Sequence, residues 1–434
     1  TAGTGLWVVS AGAVTHIRME ELSYTDKAAD MSATTQEYVA RRGMVSEAVW
    51  NGEKWVPQET DNDGLWTSMY GAGELMRYKV LQDEGVQGVE LEAAKKAALD
   101  SIKATLLLSN ITCRTGTVEA YVRPLMNSTN QCHYTEQGKG LALLKDKEYA
   151  VYDRQGSPAD TQVRNDDPNF LTPIVPEDWA IVDENSDKSL FATRTRSLDG
   201  MIARTYRLEG EYPDANFNDG YYWNIDGQIA KCEETTSTKV KWENLAGTTV
   251  DASGEIPEVL ADLLGDATKD DIIYKTDTST DEIIGHLFIY KIAYDILGDE
   301  GEEGQLKELI SDTMRRIAQH FADNGYSLLD ATGQGTTWGK TNLDYFNNGM
   351  TWEDNSLNCL VVLNIFKLAA YVTGEQRWED EYQMLATEEP FRYADLCGKY
   401  WEHLAYVAHK NGFVPEDASE EEVNNWIVNC LNYS

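Results

Sequence analysis

The sequence predicts a mainly α-helical protein, a stack of helical hairpins carrying a β-rich insertion. Two observations predict it. Apolar residues recur at three- and four-residue steps across residues 65–108 and again from residue 281 to residue 431, with short glycine-containing joints between the runs. Between these blocks, Gly, Pro, Asp and Asn punctuate short alternating runs such as 192–208, 221–230 and 240–243, the pattern of strands and long loops. The expected parts are an N-terminal strand or hairpin (1–20), a first helical part (21–112), the insertion (113–267) and a second helical part (268–434).

Taken in order, residues 6–17, LWVVSAGAVTHI, are rich in β-branched side chains around a central Ala-Gly and read as a short hairpin or a single strand. Residues 21–42 have helical character, with Ala28, Met31, Tyr38 and Val39 on a loosely apolar face. Stronger helices follow. Leu65, Met69, Ala72, Leu75, Met76 and Val80 form one apolar face behind Asp63, which suits an N-cap. Ala94, Ala98, Ile102, Thr105 and Leu106 form the next, so the two helices should pair as an antiparallel hairpin. After the insertion, helices are expected at 281–297, 305–324, 356–373, 377–386, 393–410 and 419–431. No strict repeat is visible, which argues against a regular solenoid.

A chain of 434 residues, 42% of them hydrophobic, is long enough to bury a sizeable core. Its 37 Lys and Arg against 73 Asp and Glu give a net charge of −36, which repels phosphate backbones and excludes nucleic acid as a partner. The longest apolar stretch, 359–372, is interrupted by Asn364 and Lys367, so no membrane span is expected. The start at Thr1 suggests a processed mature protein or a fragment. Three N-x-Ser/Thr sequons begin at Asn110, Asn127 and Asn432. Six cysteines without a C-x-x-C pair or zinc-finger histidine spacing favour disulfides over metal, and Cys113 with Cys132 would close a short loop between two of the sequons. Together these point to an oxidising, extracellular setting.

Three segments carry candidate chemistry. In TDTSTDEIIGHLFIY, residues 276–290, Ser279-x-x-Glu282 has the spacing of a capping box, with Thr278-x-x-Asp281 as a second register. Glu282 and His286 are four apart on one helix face, and a carboxylate beside an imidazole can hold a sugar hydroxyl or work as an acid/base pair. His286 is expected to be buried against Glu282, with Asp281 or the Trp338 loop on its other side. The second segment, DNDGLWTSMY at 61–70, offers Asp63 as a cap and Trp66 and Tyr70 as large aromatics; its D-x-D-G lacks the later ligands of a calcium loop. Asp183-x-Asn185-x-Asp187 fails the same test, because Arg194 stands at the twelfth position. The third, 326–348, places Trp338, Lys340, Tyr345, Asn347 and Asn348 in a glycine-rich loop suited to sugar faces and hydroxyls. No metal or cofactor is expected.

The segments DNDGLWTSMYGAGELMRY, TSTDEIIGHLFIYKIAYDIL, DNGYSLLDATGQGTTWGK and NCLVVLNIFKLAAYVTGE occur in that order. They resemble secreted bacterial proteins in which β-propeller repeats of the two-component-regulator type precede an α-helical domain similar to the (α/α) toroids of glycoside hydrolases and polysaccharide lyases. The resemblance covers most of 60–112 and 272–385, and GLWVVSAGAVTHI is similar to the last strands of a propeller blade. The middle region and the later cysteines depart from that group. The resemblance implies an (α/α) toroid-like stack and a carbohydrate setting, and it assigns no catalytic residue.

Two functions follow as expectations. The first is an extracellular glycoprotein that binds a polysaccharide and, if catalytic, cleaves it in a cleft at one end of the toroid. Asp63, Asp281, Glu282 and His286 would be the acids and bases, with Trp66, Tyr70, Trp338, Lys340, Tyr345 and Asn348 against the glycan. A lyase would pair His286 with Tyr345 or Tyr290 instead. The second is a structural subunit of an extracellular filament or coat, self-assembling through a strand at 6–17 added to a neighbour's sheet edge.

Overall fold

The computed structural model describes residues 5–19, 21–112, 117–124, 180–181, 192–208, 220–224, 229–233, 242–250, 255–276, 278–329, 336, 339–347, 355–398, 405, 408–409 and 412–433. Cys113, Cys132, Asn127, Trp338 and Asn348 lie outside them, and so do the side chains of Asn347 and Asn432.

The chain opens with a hairpin, β1 (Gly5–Val9) and β2 (Val14–Arg18), in which Leu6 faces Ile17 and Trp7 faces His16. The Trp7 and His16 rings stack at 4.3 Å. Helix α1 (Tyr24–Tyr38) starts at Ser23, whose Oγ accepts the Asp26 N–H at 3.0 Å. It is shorter than the 21–42 expected, because Arg42 and Gly43 both have positive φ and turn the chain between β3 (Ala40–Arg41) and β4 (Met44–Val45). Gly43 is needed there: a Cβ would come within 2.4 Å of the Asp100 carbonyl. A second hairpin, β5 (Glu47–Trp50) and β6 (Trp55–Gln58), follows. Strands at 40–58 were not expected inside the first helical part.

Most of the described residues are helical. Helices α2 (Asp63–Asp83) and α3 (Val89–Leu108) form the expected hairpin. Then come α4 (Thr280–Ile296), α5 (Gly301–Asp323), α6 (Leu343–Asn347), α7 (Asn355–Thr373), α8 (Gln376–Thr387), α9 (Tyr393–Cys397) and α10 (Glu420–Tyr433). The helix expected over 393–410 closes at Cys397, where Gly398 follows. Helix α2 packs on both α3 and α4, and α7 packs on α4, α5, α8 and α9, so α7 is central to the second half. It includes the one described helical segment long and apolar enough to cross a membrane, Ser356–Thr373, of which 61% is buried inside the fold. One continuous core joins Ile102, Leu106, Ile283, Ile310, Phe321 and Phe366.

The face of α3 is the expected one, and Ala94, Ala98, Ile102, Thr105 and Leu106 are all buried. On α2 the expected face holds in part, with Ala72 and Leu75 buried. Met69, Met76 and Val80 are exposed, while Gly64, Thr67, Ser68, Gly71, Leu75 and Tyr78 face inward. Small residues win this face because α4 crosses too closely for larger ones. A Cβ on Gly71 would stand 2.6 Å from Ser101 Cβ and 2.7 Å from Ile289 Cδ1, and one on Gly285 of α4 would stand 2.9 Å from Leu65 Cα.

Two antiparallel sheets lie between the helical parts. One has the order β13 (Trp242–Val250), β7 (Thr117–Pro124), β9 (Ala192–Arg196), β8 (Ala180–Ile181). The other has the order β10 (Thr205–Leu208), β14 (Ile272–Lys275), β11 (Gly220–Asn224), β12 (Ile229–Glu233). Strand β14 is interior to its sheet, pairing Tyr206 with Tyr274 and Trp223 with Tyr274 on its two sides. The β region therefore reaches beyond the expected boundary at 267, and its last strand runs directly into α4.

Candidate functional site

Helix α4 begins after Ser279, which has extended φ and ψ but makes no side-chain cap bond. The capping box does not form, because Glu282 points to another helix. Both its oxygens face the Leu65 N–H, at 3.2 and 3.1 Å. Leu65 lies in the first turn of α2, where amides lack intrahelical acceptors and the helix dipole favours an acceptor oxygen. Gly64 makes room for this arrangement. A Cβ on Gly64 would lie 2.3 Å from Glu282 Oε2 and 2.9 Å from His286 Nε2, so those two atoms are at most about 5.2 Å apart.

The expectation that His286 is buried near Glu282 agrees with this geometry, since both are 0% exposed. Its hydrogen-bond partners are different ones. His286 Nδ1 lies 3.0 Å from Tyr290 Oη and 3.2 Å from Ser109 Oγ, and these two oxygens are 3.0 Å apart. Tyr290 donates its hydroxyl hydrogen to the Thr105 carbonyl at 3.2 Å. That leaves the phenol oxygen to accept from His286 Nδ1–H or from the Ser109 hydroxyl, and with the hydrogen on Nδ1 the lone pair of the ring is on Nε2. Nε2 has no hydrogen-bond partner in the structure and faces the Glu282 side.

Burial decides the charges. It holds the Glu282 carboxyl well above the usual carboxylate range, helped by the negative charge of Asp63 and opposed by the Leu65 N–H. It pulls His286 down to about 3 and pushes the Tyr290 phenol up. Burial thus favours the neutral form of both Glu282 and His286. Proton transfer between them would create a buried ion pair, and none of Asp63, Glu282 and His286 has a solvent-exposed surface.

Asp63 is not the N-cap of α2 but its first residue, after Asn62. Its carboxylate is consumed by structure: Arg41 Nη2 at 2.5 Å, Thr205 Oγ1 at 2.6 Å, Ser46 Oγ at 2.9 Å and the Thr60 N–H at 3.2 Å all donate to it. The neighbouring acids are paired in the same way. Glu59 meets Arg207 at 3.2 Å, and Asp61 meets Lys275 at 3.2 Å. The acid-rich approach to α2 thus faces cations of β3, β10 and β14, residues whose role no local pattern announced.

The remaining candidates disperse. Asp281 is exposed on the first turn of α4. Trp66 is 46% exposed on α2. Tyr70 ties α2 to α1, accepting from Gln36 Nε2 at 3.0 Å. Lys340 and Tyr345 meet each other, the ammonium 5.5 Å from the ring centroid. Asn110, read as a glycan acceptor, is fully buried. Its Nδ2 donates to the Leu106 carbonyl at 2.7 Å and to Thr313 Oγ1 at 3.0 Å, and its Oδ1 accepts from Arg316 at 2.6 Å, so the fold leaves no place for a glycan there. A cavity of about 690 Å³ elsewhere is lined by Lys103, Glu258, Asp262, Glu302, Glu308 and Asp312 among others, and by none of the sequence-derived candidates. Among the described residues, no group of three or more His, Cys, Asp or Glu could hold a metal ion.

No protein family, no curated protein and no solved structure matches the chain.

Proposed function

We propose that the protein is a self-assembling structural subunit of an extracellular filament or coat, joined to a second copy of itself through the N-terminal ribbon. In this reading the helical hairpins form a toroid-like body and the ribbon is its connector. One observation carries it. The β1–β2 hairpin is a two-stranded sheet of its own, with Leu6, Val8 and Ile17 exposed on one face and Trp7, Val9 and Val14 on the other. Trp7 is 64% and Val9 74% exposed. A lone two-stranded ribbon is marginal in water and needs a further strand or an apolar cover. Charge favours a copy of this chain as that cover. Residues 5–19 contain His16 and Arg18 and no acid, while the whole chain carries −36. Asp63, Glu282 and His286 are fully buried near the α2–α4 crossing while Asp281 stands apart on the surface, which supports a structural task for the buried three over glycan cleavage.

The test is sedimentation and negative-stain microscopy of the intact chain against Trp7→Glu/Val9→Glu. No ribbon residue belongs to the main core, so the variant should keep its circular dichroism. Multimers or ordered filaments that the variant abolishes are expected. A chain that stays monomeric at its solubility limit overturns the proposal.

A second reading, glycan binding without cleavage, is favoured by Trp50 and Trp55. They face each other across β5 and β6, edge to face at 5.7 Å, and are 52% and 47% exposed. Exposed indoles of this kind stack on sugar rings. Trp50→Ala/Trp55→Ala should abolish any retention on immobilised polysaccharide; retention unchanged by the double substitution removes this reading.

A further inference from the structure

We propose that Cys359 and Cys397 form a disulfide that staples α9 to the N-terminal part of α7. Their sulfurs are 3.2 Å apart as free thiols, which a shift of about 1 Å converts to bonding distance. The surroundings already hold the two elements together. Ser356 Oγ donates to the Leu396 carbonyl at 3.2 Å, and Cys359 Sγ lies 3.3 Å from the Ser356 carbonyl and 3.6 Å from that of Tyr393. Tyr393 packs its ring edge-on to Phe346 at 5.1 Å, so α9 is seated from both ends.

The two thiols divide the chemistry by position. Cys397 is partly exposed and Cys359 fully buried, so an oxidant from solvent reaches Cys397 first. The hydrogen bond between the two sulfurs, in which either can be the donor, lowers the Cys397 pKa, while the same contact and burial raise that of Cys359. With a small-molecule disulfide as oxidant, the Cys397 thiolate attacks one sulfur of that disulfide and releases one thiolate. Cys359 then loses its proton, attacks the Cys397 sulfur of the mixed disulfide and releases the second. Two protein thiols are oxidised, and one small disulfide is reduced to two thiols.

The experiment is peptide mapping of the intact protein after incubation with oxidised glutathione at neutral pH, alkylated without reduction and cleaved with trypsin. Cys359 lies on the 341–367 peptide and Cys397 on the 393–399 peptide, each the only cysteine in its peptide. The expected result is these two peptides joined, and separated by reductant. Both peptides singly alkylated, or either one joined to a different cysteine, overturns the proposal. Thermal unfolding gives a second measurement: reductant should lower the midpoint of the wild type by more than that of Cys397→Ser, and equal shifts in the two proteins count against the staple.

Discussion

Replacing Glu282 by Gln should stabilise the protein progressively as the pH rises. Burial raises the folded pKa of this carboxyl above its ordinary 4.5, so between 4.5 and the folded pKa the folded state holds a proton that the unfolded state releases. Its contribution is complete below pH 4.5 and is lost as pH climbs toward the folded pKa, at about 1.4 kcal/mol per pH unit. Gln keeps an acceptor for the Leu65 N–H and titrates nowhere in this range. His286, at about 3, and His320, at about 4, tilt the other way, being stabilising above their unfolded 6.5 and losing that contribution as the pH falls. Both proteins contain these histidines, so they cancel in the comparison. Urea unfolding of wild type and Glu282→Gln at pH 5, 6, 7 and 8 should give a difference in favour of Gln that widens by about 1.4 kcal/mol per pH unit for as long as the folded carboxyl keeps its proton. Parallel curves across this range would refute the argument. Parallel curves with Glu282→Gln the less stable at every pH would mean that Glu282 is ionised throughout this range and that its charge at the α2 N-terminus is what stabilises.

Gly71 and Gly73 lie on the same helix and predict opposite signs. Gly71→Ala meets Ser101 Cβ and Ile289 Cδ1 and should cost about 1–3 kcal/mol, whereas Gly73→Ala has nothing within 4 Å and should gain about 0.5–1 kcal/mol from helix propensity; chemical denaturation of both variants is the check. Arg41→Ala strands the buried Asp63 carboxylate and should cost about 3–5 kcal/mol by the same assay, and a loss under 1 kcal/mol would contradict the ion-pair reading. Mass spectrometry of the peptide holding Asn110 should find it unmodified, and Asn110→Ala should destabilise by about 1–3 kcal/mol, because Thr313 and Arg316 lose a buried partner.

How far the fold was legible depended on whether the deciding contact was local. The buried face of α3 follows from its own Ala and Leu spacing and was read correctly. That of α2 was read in part: Ala72 and Leu75 are buried as expected, but Gly64, Gly71 and Ser68 are inward only because α4 crosses there, and apolar periodicity alone preferred the exposed Met69 and Met76. The cap at residues 279–282 fails for a similar reason. Ser279 and Glu282 have the right spacing, but the amide that Glu282 serves is 217 residues away in sequence. The burial of His286 was legible from the Leu and Phe that follow it. Ser109 and Tyr290 as its partners were not, because nothing in the sequence says that the end of α3 meets α4. Arg41, Arg207 and Lys275 gave no local signal at all.

The pairing of Glu59, Asp61 and Asp63 with Arg207, Lys275 and Arg41, completed by Glu282 on Leu65, also fixes a timetable. The start of α2 is made early in synthesis, yet its last acceptor is encoded 217 residues later. At about 5–20 residues per second, the amide of Leu65 waits roughly ten to forty seconds for that oxygen. Throughout that interval the α2–α3 hairpin leaves the ribosome with its glycine face open, so the nascent N-terminal half is the stretch that a chaperone would have to shield.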